Sequence, residues 1–422
     1  MASPPAQSDD RESHRSSARE AATWIVRRLT DAGYTAYLAG GCVRDQLMGN
    51  EPTDFDVATS ARPEEIKEVF PRAHAVGESF GVLLIRRHGH TIETATFRTD
   101  GPYSDGRHPE EVHFSDAEHD ARRRDFTING LFQDPLTGRI IDFVGGQTDL
   151  QSRTLRAIGD PHDRIHEDRL RMLRAVRFTA RFGFSLEEAT ADAIRQHAEN
   201  LKGVSRERIG QEVRRMLLDQ NRAVAAWELQ YLGLDETVLG ESNLTVAPTR
   251  LGQLPEPVEY ATALAAWIFD RHGESVEADK AAKRWRRALM LSNAEYDALK
   301  DALDYSRALR TSWPRLGIAR QKRIAASPPF NQALLLVQTA DRQEFIDIRR
   351  RVLDLEKTGL APEPLLSGDD LIEAGMTPGP EFRRILDGVY DAQLEGQIRD
   401  PESALELAWL IRRTLAGDGG TD

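Results

Sequence analysis

Residues 37–59 read Y-L-A-G-G-C-V-R-D-Q-L-M-G-N-E-P-T-D-F-D-V-A-T, and this segment constrains the fold more than any other part of the chain. A short apolar strand runs into a glycine turn (Gly40, Gly41), then a short helix carrying Arg44, then a second strand carrying Asp54-Phe55-Asp56. Residues two apart on a strand face the same way. Asp54 and Asp56 therefore project side by side, with Phe55 turned to the other face. Adjacent carboxylates repel one another unless a cation neutralises them. Hard oxygen ligands of this kind suit Mg²⁺, which takes one or two carboxylates together with substrate phosphates. Gly40 and Gly41 let backbone N–H groups come close to a phosphate at a helix start, and Arg44 adds a charged fork. Singly, a D-x-D is a pair of solvated acids and a Gly-Gly is a plain turn. Jointly they point to chemistry on a nucleoside triphosphate.

A chain of 422 residues exceeds one ordinary core and calls for two to four domains. Its 40% hydrophobic and 29% charged content suits a soluble globular protein, and no apolar run is long enough to span a bilayer. Residues 1–20 are rich in Ser, Pro, Asp and Arg without an apolar stretch, and read as a disordered leader. The single cysteine, Cys42, excludes an internal disulfide or a cysteine-metal cluster and points to a reducing, cytoplasmic setting, with Cys42 itself a small packed residue. The net charge of −12 does not mark a nucleic-acid binder, but the charge is uneven. Residues 121–181 hold twelve Arg against eight acids (+4), whereas residues 361–422 hold five Arg against thirteen acids (−8). A nucleic-acid footprint depends on such a local face rather than on the total.

In chain order, residues 19–32 read as an amphipathic helix closed by Gly33, and a further helix opens at Arg62-Pro63. Residues 81–87 and 91–97 read as a strand pair around His88-Gly89-His90. If the second of these lies beside the D-F-D strand, Glu93 can supply a third carboxylate. Residues 99–119, with Asp100-Gly101-Pro102 and Asp105-Gly106-Arg107-His108-Pro109, read as a long mobile loop. Residues 138–143 read as a strand ended by Gly145-Gly146, closing an α/β head; beyond Asp149 the pattern is helical.

Residues 165–178 read as one long helix in which Asp168, Arg171, Arg174 and Arg177 recur every third position. Each step precesses about 60°, so the series can line one wall of a cleft. A carboxylate only accepts hydrogen bonds and a guanidinium only donates. Cytosine (N4 amino, N3) and adenine (N6 amino, N1) both offer a donor beside an acceptor. Asp168 with Arg171 could read that shared pattern and reject uracil and guanine, whose edges are reversed. Without context the same spacing is an exposed helix laced by ion pairs. His162-Asp163 and His166-Glu167 raise a metal-phosphohydrolase alternative, which lacks partner ligands later in the chain. Ser205 is placed to cap a further helix, and Ser367 and Pro380 to open two more near the end. Two basic stretches, 280–287 around Trp285 and 307–323 around Trp313, could grip phosphate and stack bases. Ordinary amphipathic helices explain them equally well.

The joint pattern G-G-x-V-R-D-x-x-x-G-x-x-x-x-D-F-D-V resembles the signature of the tRNA nucleotidyltransferase and bacterial poly(A) polymerase family, the class II nucleotidyltransferases. E-T-A-T-F-R at Glu93, R-R-D-F-T-I-N from Arg123 to Asn129, E-D-R-L-R followed by M-L-R-A-V-R-F, and S-R-E-R-I-G-Q-E from Ser205 resemble further elements of that family. The match is strong to about Glu212, thin in the middle, and recovers toward Gly396; Gly130 stands where the family often has Ala.

The resemblance implies a polymerase-beta-like α/β nucleotidyltransferase head with a small mixed sheet, followed by an all-α portion. The expected divisions are leader 1–20, head 21–150, neck 151–216, RNA-binding body 217–355 and tail 356–422. It implies Mg²⁺ on Asp54 and Asp56, helped by Glu93. It places Gly40, Gly41, Arg44 and Arg124 on the nucleotide and Asp168 and Arg171 on the base, with Arg174 and Arg177 of the same wall counted as nucleotide-binding, serving the triphosphate or helix packing. Asp125 and Asn129 orient the local backbone. The expected reaction is template-independent addition of C and A from CTP and ATP to the 3′ end of tRNA, with no DNA or membrane partner. A poly(A) polymerase, an enzyme adding only A or only CC, and a non-catalytic RNA-binding protein are the alternatives.

Overall fold

The computed structural model describes residues 8–76, 81–101 and 111–417. The chain divides into two compact units: the first runs to Thr245 and takes in Ala288–Met290, and the second comprises Val246–Arg287 and the chain from Leu291.

The first unit opens with α1 (Ser8–Asp31), β1 (Ala36–Ala39), α2 (Gly41–Leu47), β2 (Asp56–Thr59) and α3 (Pro63–Val69). Then come β3 (His74–Ala75), β4 (Val82–Arg87), β5 (His90–Thr96), β6 (Arg98–Asp100), β7 (Val112–Phe114), α4 (Ala117–Arg122), β8 (Leu131–Gln133), β9 (Ile140–Asp142) and α5 (Gly146–Ser152). Seven strands form one sheet in the order β3-β4-β5-β2-β1-β8-β9. Only β2 and β5 pair in parallel; the other neighbours are antiparallel, so the sheet is mixed. Alternation decides its faces. Leu38, Val57, Leu83, Ile85 and Ile92 bury against Ile25, Val26 and Leu29 of α1, while Ala39, Ala58, Phe97 and Phe132 form a smaller cluster on the other side.

Several elements depart from the sequence reading. The first helix begins at Ser8 rather than at residue 19, so part of the expected leader is helical; residues 1–7 lie outside the described residues. Of the loop expected at 99–119, residues 102–110, the Asp105–Pro109 run among them, lie outside the described residues. On either side of them β6 and β7 pair antiparallel and α4 follows, capped by Asp116, which accepts the His119 N–H at 2.9 Å. Two residue pairs beyond Asp149, Thr154–Leu155 and Ser185–Leu186, form a small parallel ladder where only helix was expected.

The largest difference concerns residues 165–178. They are two helices, α6 (Pro161–Glu167) and α7 (Arg171–Phe182), broken at Asp168, whose backbone is extended (φ −141°, ψ 103°). The Asp168 carboxylate accepts the Leu170 N–H at 3.1 Å. Aspartate competes with the helix ladder through such local bonds, and here the local bond wins. The strict three-residue ladder therefore starts at Arg171, and Asp168 sits on the bend before it. Four more helices follow in the first unit, α8 (Glu188–His197), α9 (Arg206–Leu217, with Ser205 at its N-cap), α10 (Arg222–Tyr231) and α11 (Asp235–Leu239).

The described part of the second unit is helical. Trp285 and Trp313 are 0% and 3% exposed, which removes the base-stacking reading of the two basic stretches. Trp285 packs edge-on against Trp267 with ring centroids 5.1 Å apart. Ser367 caps Gly368–Glu373 through a reciprocal box with Asp370, as its position suggested.

Candidate active site

Asp54, Asp56 and Glu93 are exposed, while Phe55 and Val57 on one strand and Ile92 and Thr94 on the other are buried. This alternation turns the three carboxylates to one side. Asp56 and Glu93 are direct register partners across the parallel β2–β5 pair, and Asp54 stands just before β2. All three line a cavity of about 880 Å³. Recession into that cavity and then the neighbouring Glu93 push the Asp56 carboxyl up to about 6; Asp54 adds to the rise and Arg124 opposes it. The acids of this wall thus lack a full complement of positive charge.

Gly40 has φ +69°, and a Cβ there would come within 2.7 Å of an Arg124 guanidinium nitrogen. Glycine is required both for the turn and for the close approach of Arg124. Arg44 is 5% exposed, donates to Asp45 (Nε, 2.8 Å) and to Asn129 Oδ1 (Nη1, 2.5 Å), and lies 4.6 Å from the Phe182 ring centroid. Cys42 is buried beneath the turn, its thiol pushed up to about 11 by burial.

The opposite wall is cationic. Arg124 donates to Asp120 (Nη2, 3.0 Å) and to the Asn129 carbonyl (3.2 Å). Arg171 ion-pairs with Glu167 at 2.6 Å and donates to the Arg164 and Arg123 carbonyls. Arg174 grips Asp125 through Nε (2.8 Å) and Nη2 (2.5 Å), and Arg177 pairs with Glu212 at 2.6 Å. Asp168 is held by Arg208 at 3.0 Å. Although burial alone would raise Asp125, Arg174, Asn129 and the Phe126 N–H hold its carboxyl at about 2.

The residues expected to hold metal and nucleotide all line this one cavity: Gly40, Gly41, Arg44, Asp54, Asp56, Glu93, Arg124, Asp168, Arg171, Arg174 and Arg177. The sequence reading missed their partners. Asp120, four residues before Arg124, and Glu167, four before Arg171, carry a local helical signal. Arg208 and Glu212 lie some forty residues from the groups they hold, and nothing local announces them. The histidines of the phosphohydrolase alternative lie apart from the cavity lining, with His162 3.0 Å from His197. Among the described residues no three His, Cys, Asp or Glu side chains form a ready metal cage. The open Asp54, Asp56 and Glu93 fit a divalent ion whose coordination is completed by substrate phosphates.

Several known proteins resemble this chain along most of its length. A CCA-adding enzyme from Levilactobacillus brevis is 34% identical over 396 residues, spanning 92% of this chain and 97% of the relative. This chain belongs to the CCA-adding enzyme family. Another member, from Lacticaseibacillus paracasei, is 34% identical over 90% of the chain and 93% of its own length. The family model described as the poly A polymerase head domain matches residues 36–156, and one described as a probable RNA and SrmB-binding site of polymerase A matches 183–241. The Bacillus stearothermophilus CCA-adding enzyme, solved in complex with CTP, superposes with a TM-score of 0.77 at 29% identity, covering 95% of this chain and 99% of that one. The Thermotoga maritima CCA-adding enzyme, solved with tRNA, shares the fold at a TM-score of 0.64 and 20% identity, covering 94% and 95%. As a family member the chain is a nucleotidyltransferase. None of its described helices is long and apolar enough to cross a membrane.

Proposed function

We propose that this family member adds C and A from CTP and ATP to the 3′ end of tRNA without a nucleic-acid template, releasing pyrophosphate. The observation that carries the reading is one cavity with open carboxylates on one wall and Asp168 beside Arg171 on the other. Asp54 and Asp56, assisted by Glu93, hold Mg²⁺. Bound there, the metal would lower the charge of the triphosphate and favour the deprotonated RNA 3′-hydroxyl. The Gly41 backbone, Arg44 and Arg124 hold the nucleotide, with Arg174 and Arg177 completing the cationic wall. Asp168 accepts the amino group of cytosine or adenine, using lone pairs that Arg208 and Leu170 leave free. Arg171 keeps its Nε–H to donate to N3 or N1, its terminal nitrogens being engaged with Glu167 and two carbonyls. The reversed edges of uracil and guanine would leave these groups unpaired, at a cost of about 1–3 kcal/mol each. We assign the head to 21–150, the neck to 151–216, and the RNA-holding body and tail to 217–355 and 356–422, working in the cytoplasm.

The test is incorporation of each labelled NTP, with Mg²⁺, into tRNA ending before or within CCA, beside an unrelated oligoribonucleotide. The expected outcome is C and A added to tRNA alone, stopping at CCA, and abolished by EDTA. Long A tails on the unrelated oligonucleotide would identify a poly(A) polymerase, the description that the head-domain model carries. Equal use of UTP would refute the base-selecting pair.

A further inference from the structure

Eight arginines line the cavity. Seven hold a carboxylate: Arg44 with Asp45, Arg98 with Asp100, Arg123 and Arg124 with Asp120, and Arg171, Arg174 and Arg177 with the acids named above. The eighth, Arg181 in the last turn of α7, is exposed to the cavity and makes no ion pair or hydrogen bond among the described residues. Its guanidinium carbon lies 5.5 Å from the Phe182 ring centroid. The same ring lies 4.6 Å from Arg44, so two guanidinium groups flank one aromatic ring. Arg181 also acts as a like charge on Arg44, whose proton affinity is lowered by burial and by that repulsion against the pull of Asp45. Two cations beside one ring without an acid for the second cost electrostatic energy, which a polyanion reaching both from the cavity would recover. Arg44 stands at the glycine turn, its Nη2 only 3.6 Å from where a Cβ on Gly41 would sit. The uncompensated charge therefore belongs to the glycine end of the cavity rather than to the base-selecting end.

We propose that Arg181 binds the terminal phosphates of the incoming nucleoside triphosphate. The proposal rests on the nucleotide reading of the cavity given above. The bland role for a cation in a last helical turn is to complement the helix dipole; that role predicts no preference for a triphosphate. The phosphate backbone of the RNA 3′ end offers the same chemistry, and the measurement separates the two sources.

Equilibrium binding of CTP and of CMP, each with Mg²⁺ and without RNA, is compared for the wild-type protein, Arg181→Ala and Arg181→Lys, alongside the KM for tRNA. The expected result is about a tenfold loss of CTP affinity in Arg181→Ala, the size of one charge-assisted hydrogen bond. CMP affinity and the KM for tRNA should stay unchanged, and Arg181→Lys should recover part of the loss. Equal losses for CTP and CMP, no loss for either, or a change confined to the KM for tRNA would overturn the assignment. If wild-type protein bound neither nucleotide, the nucleotide reading itself would fall; wild-type binding with an indifferent Arg181→Ala would sink only the present inference. Because Arg181 is exposed and packs against one ring, an unchanged thermal melt is expected for the variant.

Discussion

Among the described residues the sheet-side wall of the cavity leaves its acids without an ion-pair partner, whereas the helix-side wall pairs nearly all of its bases. Asp56 is pushed up to about 6 first by its recession into the cavity and then by Glu93, with Asp54 adding to the rise and Arg124 only partly opposing it. Asp125 is held at about 2 because Arg174 covers it, and Asp120 is lowered by Arg124 and Arg123 despite its burial. The difference teaches which wall is finished. The arginine wall is preorganised by its own counter-ions and needs no rearrangement to present a surface. The carboxylate wall carries negative charge that a bound cation would offset.

That contrast can be broken most severely at Asp56. Asp56→Ala should lower nucleotide incorporation by about a thousandfold or more. It should leave the melting temperature unchanged or slightly raised, since a repulsion has been removed. A variant that kept its activity would refute the metal site. On the finished wall the same kind of truncation should behave oppositely. Asp125→Ala leaves Arg174 without its partner and should cost about 3 kcal/mol of stability in urea unfolding; a neutral effect would show that the pair is dispensable. Asp168→Ala should reduce the CTP-to-UTP incorporation ratio about tenfold or more, read from competition between the two labelled nucleotides.

A pH dependence tests whether a missing cation alone explains the raised acids. Glu228 of α10 has Thr179 as its hydrogen-bonding partner and no arginine, and burial pushes its carboxyl up to about 7. For an acid raised in the fold, stability is fully present below the unfolded value of 4.5 and is lost as pH rises through about 7. Wild-type stability should thus fall by at most about 1.4 kcal/mol per pH unit across that window and level off above it. Glu228→Gln should flatten this slope, as urea titrations at pH 5 and pH 8 would record.

The sheet-side wall was legible because its signal is local. The alternation around Phe55 sets which way Asp54 and Asp56 point, and Glu93 sits among residues whose period of two marks a strand. The bend at Asp168 was not legible. Periodicity carries the helix straight through residues 165–178, while the decisive event is one carboxylate bonding its own backbone two residues on. The counter-ions Arg208 and Glu212 escaped notice because pairing across helices leaves no trace in spacing. In the second unit the mixture of arginine and tryptophan was ambiguous at the sequence level. An amphipathic helix buries its aromatic face and exposes its cations, and Trp285 and Trp313 followed that rule.

The Trp267–Trp285 contact has a practical consequence. Sealed edge-on in the interior of the second unit, these two indoles should fluoresce in the blue and shift red only when that unit melts. The first unit has a solvent-touching counterpart in Trp227, 41% exposed on α10. In a variant with Trp24, Trp313 and Trp409 replaced by Phe, emission collected at two wavelengths during denaturant titration would therefore report the interior of one unit and the surface of the other, with no added dye.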